Sequence, residues 1–230
     1  PRRKRMRPRT RSKMKKGRWK QRLFSVEKEE EEDMEIEALL SALGVAEKLK
    51  DATRHSWTSG GRQESVADHS WRMAVMACLA ADEFPGLDMA KVVRMCLFHD
   101  MGEAFTGDVP VFEKTAAHEE EEARRLDAWL AGLPQPQRGD LTALFREMEA
   151  CESPEARLYK ALDKLEVVDQ HNRADLATWV PVEYTLNLTH GEKQVAWSPY
   201  LRQVKEAVNR ETREKLGQKS SEKEAKTKQK

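Results

Sequence analysis

Across 230 residues, 41 Lys and Arg face 40 Asp and Glu, for a formal net charge of +1 at pH 7 and a mean hydropathy of −0.80. No apolar run approaches the roughly 20 residues of a membrane-spanning helix, no signal-peptide core is visible, and three cysteines without metal-ligand spacing exclude a disulfide framework. A chain of this length holds one domain, or one domain with tails.

The balanced total hides a segregation of charge. Residues 1–23 are rich in Arg and Lys without one acid, residues 27–37 are dense in Glu, and residues 218–230 carry Lys, Ser and Glu but no large apolar side chain. Such segments bury too little apolar surface to offset the entropy of ordering, so disordered arms are expected at 1–33 and 218–230 around a globular body at 34–217. The basic arm reads as an RNA- or membrane-surface-binding tail, an organellar presequence, or sequence without a role. With only Trp19 and Phe24 as aromatics it offers no stacking platform, so no nucleic-acid partner is expected. The expected location is cytoplasmic, with no membrane association.

Nearly every periodic segment reads as helix. Ile36, Leu39, Leu40 and Leu43 fall at helical spacing with Gly44 as a stop, and a second short helix starts at Val45. Residues 53–62 read as a polar loop that holds Arg54, His55, Trp57 and Arg62. The next helix spans 64–81, with Ser65 as cap and Asp68 completing a capping box. Its apolar stripe comprises Val66, Met73, Met76, Leu79 and Ala80, and His69 lies in that stripe as either a satisfied core residue or a ligand. Cys78 and Cys96 fall in helical apolar patterns and read as small core residues in a reducing compartment.

A buried helix through Val92, Val93, Met95, Cys96, Leu97 and Phe98 then ends in His99-Asp100, followed by Glu103 and Asp108 with Gly102 and Gly107 between them. Imidazole and carboxylate are suitable ligands for a divalent metal, and an ionised Asp at the end of an apolar helix is costly unless compensated. A bare His-Asp pair is equally a polar helix end facing solvent. Residues 114–122 read as acidic and mobile, 123–130 and 141–149 as helices, and Pro154 opens another helix over 155–169. Leu158, Leu162 and Leu165 face inward there, and Asp163 among them is either a ligand or the partner of Lys160 or Lys164. Residues 200–216 close the chain as helix. Without a Gly-rich phosphate loop or strand–helix alternation, the fold class is all-α.

His69, His99 with Asp100, and Asp163 thus adjoin apolar faces of three predicted helices and can meet in one interior. This H…HD…D pattern resembles the HD-domain superfamily of metal-dependent phosphohydrolases over residues 36–216. The stretches 64–74, His99-Asp100-Met101-Gly102-Glu103 with Thr106-Gly107-Asp108-Val109-Pro110, and 162–166 are similar to the 5′-deoxynucleotidase branch that includes the HD domain-containing protein 2 group. The resemblance implies hydrolysis of (deoxy)nucleoside 5′-monophosphates around one divalent ion (Mn, Co, Fe, Zn or Mg) held by His69, His99, Asp100 and Asp163. It implies proton-transfer roles for Glu103 and Asp108, a phosphate clamp at Arg54, and a homodimer.

In bacterial relatives a tryptophan follows that arginine and excludes a ribose 2′-hydroxyl. Here His55 follows, and Trp57 is taken as the side chain that packs on sugar or base. Lys114 and Arg62 are either phosphate contacts or solvated charges. Two alternatives stay open: an HD-type hydrolase of another phosphate ester, such as a cyclic nucleotide or guanosine polyphosphate, and a non-catalytic helical binding module. Intact Glu103 and Asp108 argue against the second alternative, since a scaffold needs neither.

Overall fold

The computed structural model describes residues 35–228, with side-chain surroundings as far as Gly217. The expected arm at 1–33 lies outside the described residues, as do the side chains of 218–230.

The helices form where capping and apolar spacing agree. α2 (Val66–Leu79) starts at Ser65, whose hydroxyl accepts from Asp68 N at 3.1 Å while the Asp68 carboxylate accepts from Ser65 N at 2.9 Å. That reciprocal box satisfies two orphan donors of the first turn. α3 (Met89–Phe98) is capped by Asp88, and α7 (Pro154–Arg173) by Ser153 with Pro154 in its first turn. Met73 and Ala77 of α2, Val92, Met95 and Cys96 of α3, and Leu158, Leu162 and Leu165 of α7 form the centre of the core. Leu201 of α10 (Pro199–Lys228) closes it. Each fully buried Leu or Met in that cluster contributes about 1.5–3 kcal/mol relative to exposure.

Four local expectations are corrected. The stretch read as a polar loop contains a hairpin: β1 (Thr53–Trp57) pairs antiparallel with β2 (Gln63–Ser65). Gly61, at φ +82°, allows the intervening turn. α1 (Ile36–Glu47) runs through Gly44 instead of stopping there, and Ile36, Leu40 and Leu43 of its stripe are 55–69% exposed. Cys78 and Leu79 are exposed and not core, while Cys96 is buried. At 3.6 residues per turn they stand roughly 120–140° around α2 from Met73. Finally, the acidic stretch is helix: α5 (Ala116–Ala131) begins at a Thr115–His118 capping box and carries Glu121 pairs to Arg124 and Arg125, both at 2.7 Å.

α4 (Glu103–Thr106) follows α3 after one turn, α6 (Gln137–Ala150) packs between α5 and α7, and α8 (Glu183–Thr189) and α9 (Glu192–Val195) lead into α10. The all-α class therefore holds, with the hairpin as the one sheet among the described residues.

Candidate metal centre and cavity

The capping box of α2 fixes the first turn on which His69 sits, fully buried. Its Nδ1 is held by the Glu166 carboxylate of α7, which in turn accepts from Arg72 Nη1 at 2.7 Å. Its Nε2 has no hydrogen-bond partner and lies 3.5 Å from Asp163 Oδ1. At the C-terminal end of α3, His99 Nδ1 donates to the Cys96 carbonyl at 3.0 Å, which turns Nε2 inward, also without a hydrogen-bond partner. That nitrogen is 3.0 Å from Asp100 Oδ2, and the two imidazole centroids are 5.3 Å apart. Ligand atoms of His69, His99 and Asp100 lie within 4.8 Å of one another.

Two buried imidazole nitrogens without hydrogen-bond partners, each facing a carboxylate oxygen, make a donor set that fits a divalent ion. Metal–ligand bonds of about 2.1 Å place adjacent donors roughly 3 Å apart, close to the spacing here. The second-sphere arrangement fits as well, because each imidazole presents Nδ1 to an oxygen and Nε2 to the cluster. Burial and Arg54 oppose protonation of His69, yet Glu166 and Asp163 outweigh them and raise its pKa to about 9. The surrounding carboxylates therefore call for positive charge at this point.

Asp163 pairs with both of the lysines expected as its partners. Its Oδ2 is 3.1 Å from Lys160 Nζ and 3.0 Å from Lys164 Nζ, while Oδ1 remains directed toward His69. Burial works against its ionisation, but Lys164, His69 and Lys160 hold it well below the usual carboxylate range.

Arg54 projects from β1 to this centre, with Nη1 donating to Asp100 Oδ2 at 3.2 Å and Nε 3.5 Å from Glu64 Oε2. Glu103 opens α4 within one turn of His99, buried and with Oε2 unpartnered. Burial, then Asp100 and Asp108, push its pKa up to about 10. Asp108 follows Gly107, which takes φ +75°, and burial with Asp100 raises its carboxyl against the opposing pull of Arg54.

Arg54, Asp100, Glu103, Asp108 and Asp163 all line one open cavity of about 200 Å³. Lys114, Lys160 and Lys164 line it too, although Lys114 also pairs with Glu122 at 2.8 Å. Arg62 is instead an exposed partner of Asp68 at 2.8 Å, outside that lining.

Trp57 is not among the lining side chains. Its ring stands edge-on to His55 with centroids 5.1 Å apart, and its carbonyl accepts from Gln170 Nε2 at 2.7 Å. His55 takes the lining position. Glu166 and Glu64 also gather around His69, although neither is a candidate from the sequence. Glu64 is buried on β2, and burial with Glu166 raises its pKa to about 7. The signal for Glu166 lay one helical turn beyond Asp163, a second acid on the buried side of α7.

Among known proteins, the sequence profile described as HD domain matches residues 46–205. The chain is similar to the 5′-deoxynucleotidase HDDC2 of Homo sapiens, 37% identical over 139 residues, covering 58% of this chain and 66% of that protein. It is similar to the 5′-deoxynucleotidase hdd1 of Schizosaccharomyces pombe, 28% identical over 58% of this chain and 70% of that one. The chain thus spans just under two thirds of the human protein. The crystal structure of a predicted metal-dependent phosphohydrolase from Magnetospirillum magnetotacticum superposes with a TM-score of 0.68 at 29% identity, covering 78% of this chain and 93% of that one.

Proposed function

The chain belongs to the HD-domain family, and from that premise we propose that it is a metal-dependent phosphomonoesterase of deoxynucleoside 5′-monophosphates. The observation that carries the reading is the pair of unpartnered buried imidazole nitrogens of His69 and His99 beside the carboxylates of Asp163 and Asp100, which themselves line one cavity with Arg54. His69, His99, Asp100 and Asp163 hold the ion, one of Mn, Co, Fe, Zn or Mg. A mixed imidazole and carboxylate set suits all of these. When bound, it polarises a phosphate oxygen and acidifies a water.

The chain's own groups do the rest. Arg54 offers a planar fork of donors matched to phosphate, and Lys160 and Lys164 add charge at the same wall. Water attacks phosphorus, the bond from phosphorus to the 5′-oxygen breaks, and that oxygen takes up a proton as the nucleoside leaves. Glu103 and Asp108 carry the proton traffic as a pair, one accepting from the water and the other donating to the departing oxygen. Burial first, and then the neighbouring carboxylates, raise the pKa of both groups, which suits one of them to hold the proton that the other lacks.

The preference for deoxyribose is supported by the similar proteins, which are 5′-deoxynucleotidases. The catalytic body is residues 34–217. A cytoplasmic setting is supported by the free cysteines, and no described helix is long and apolar enough to cross a membrane. A homodimer is supported by the exposed stripe of α1.

Phosphate release from deoxyadenosine and adenosine 5′-monophosphate, measured side by side, tests this reading. The wild-type protein should favour the deoxynucleotide. Glu103→Ala and Asp108→Ala should retain the metal and lose on the order of 10²-fold or more in turnover. Near-normal turnover in both variants removes them from the chemistry.

A further inference from the structure

The cavity has two chemically unlike parts. Arg54, Asp100 and Glu103 give it a charged floor, whereas Val111 and Phe112 give it an apolar rim. Both rim residues are exposed, 61% and 40%, although each would ordinarily be buried. They are also held in place. The Pro110 carbonyl accepts from Glu113 N at 2.8 Å and from Lys114 N at 2.9 Å, closing a turn that carries Val111 and Phe112 at its tip.

The Phe112 ring is supported from behind. It meets His55 edge-on, with centroids 5.6 Å apart and planes at 90°, and His55 meets Trp57 the same way at 5.1 Å. The row is tied to the body through β1, because the His55 carbonyl accepts from His171 Nε2 at 3.2 Å and the Trp57 carbonyl from Gln170. Phe112 is 40% exposed at the rim of the cavity, and an aromatic ring face is what a planar heterocycle stacks on. His55 adjoins Arg54 in sequence, so the aromatic row and the guanidinium share one strand.

We propose that Phe112, braced by His55 and flanked by Val111, is the platform on which the nucleobase of the substrate stacks. The platform selects phosphate esters whose leaving alcohol carries a planar aromatic group. This rests on the phosphomonoesterase reading and extends it from the phosphate to the far end of the substrate. A fixed platform also favours binding, because neither the turn nor the ring needs to be ordered on association. A rim that served only to pack the loop would affect every ester alike.

The test compares kcat/KM for deoxyadenosine 5′-monophosphate and deoxyribose 5-phosphate in the metal-loaded full chain. The two substrates share phosphate and sugar and differ by the base. Phe112→Ala should lower the ratio of the two values about tenfold, mainly through KM for the nucleotide. Phe112→Trp should restore the ratio, and Phe112→Leu, which keeps apolar bulk without a ring face, should not. A ratio unchanged in Phe112→Ala, or equally well restored by Leu, overturns the platform while leaving the hydrolase reading intact. A wild-type protein that releases phosphate from neither ester overturns the hydrolase reading and the platform with it.

Discussion

His69 owes its usefulness to what holds its other nitrogen. With Nδ1 bound to Glu166, the imidazole has one orientation, and Nε2 turns to the cluster, where a bound metal would take the place of its proton. Arg72 stabilises Glu166 as an anion and also pairs with Asp169, so the arrangement reaches outward to the surface of α7. Glu166→Gln keeps the size of the side chain but loses its charge. It should weaken metal affinity by about 10- to 100-fold in chelator competition while the fold is retained. Unchanged affinity would mean that Glu166 only fills the core. The residue scale was partly legible in the chain. His69, His99, Asp100, Glu103 and Asp108 stood at readable spacings. Glu166 did not, because an acid three residues from Asp163 and near lysines looks like a surface ion pair until burial is known. Trp57 lies outside the cavity lining, which takes Arg54, His55 and Ser56 from β1, a division that the sequence alone does not show.

At the scale of elements, the signals that survived were those with a capping partner. Ser65 with Asp68 marked α2, and Ser153 with Pro154 marked α7. Removal of such a cap costs typically about 1 kcal/mol, enough to shift the first turn on which His69 rides. The β1–β2 hairpin was hidden because its residues are polar and charged. Its pairing is fixed by backbone hydrogen bonds and by anchoring to α7, neither of which shows as periodicity. α5 was hidden for a related reason. A helix polar on most sides has no apolar stripe to read and is supported by its Thr115 cap and its charge pairs.

At the scale of the whole molecule, the core and the site share their supports. α2, α3 and α7 pack on one another through Met73, Met95 and Leu162, and the same three helices deliver His69, His99 and Asp163. The pattern of α1 is the exception. It predicted a helix correctly, but pattern alone does not say what covers a stripe, and Ile36, Leu40 and Leu43 are left facing outward. Sedimentation should find twice the 26.5 kDa chain mass, and Leu40→Glu with Leu43→Glu should halve it without loss of fold. A monomeric wild-type chain would contradict the dimer.

The most direct measurement of the central claim is phosphate release from deoxyadenosine 5′-monophosphate by chelator-stripped protein, before and after one divalent metal is restored. The wild-type protein should be inactive when stripped and active again on metal addition, whereas Asp100→Ala should neither retain the metal nor recover. Full activity in stripped wild-type protein, or wild-type recovery in Asp100→Ala, would contradict a metal-dependent phosphomonoesterase built on His69, His99, Asp100 and Asp163.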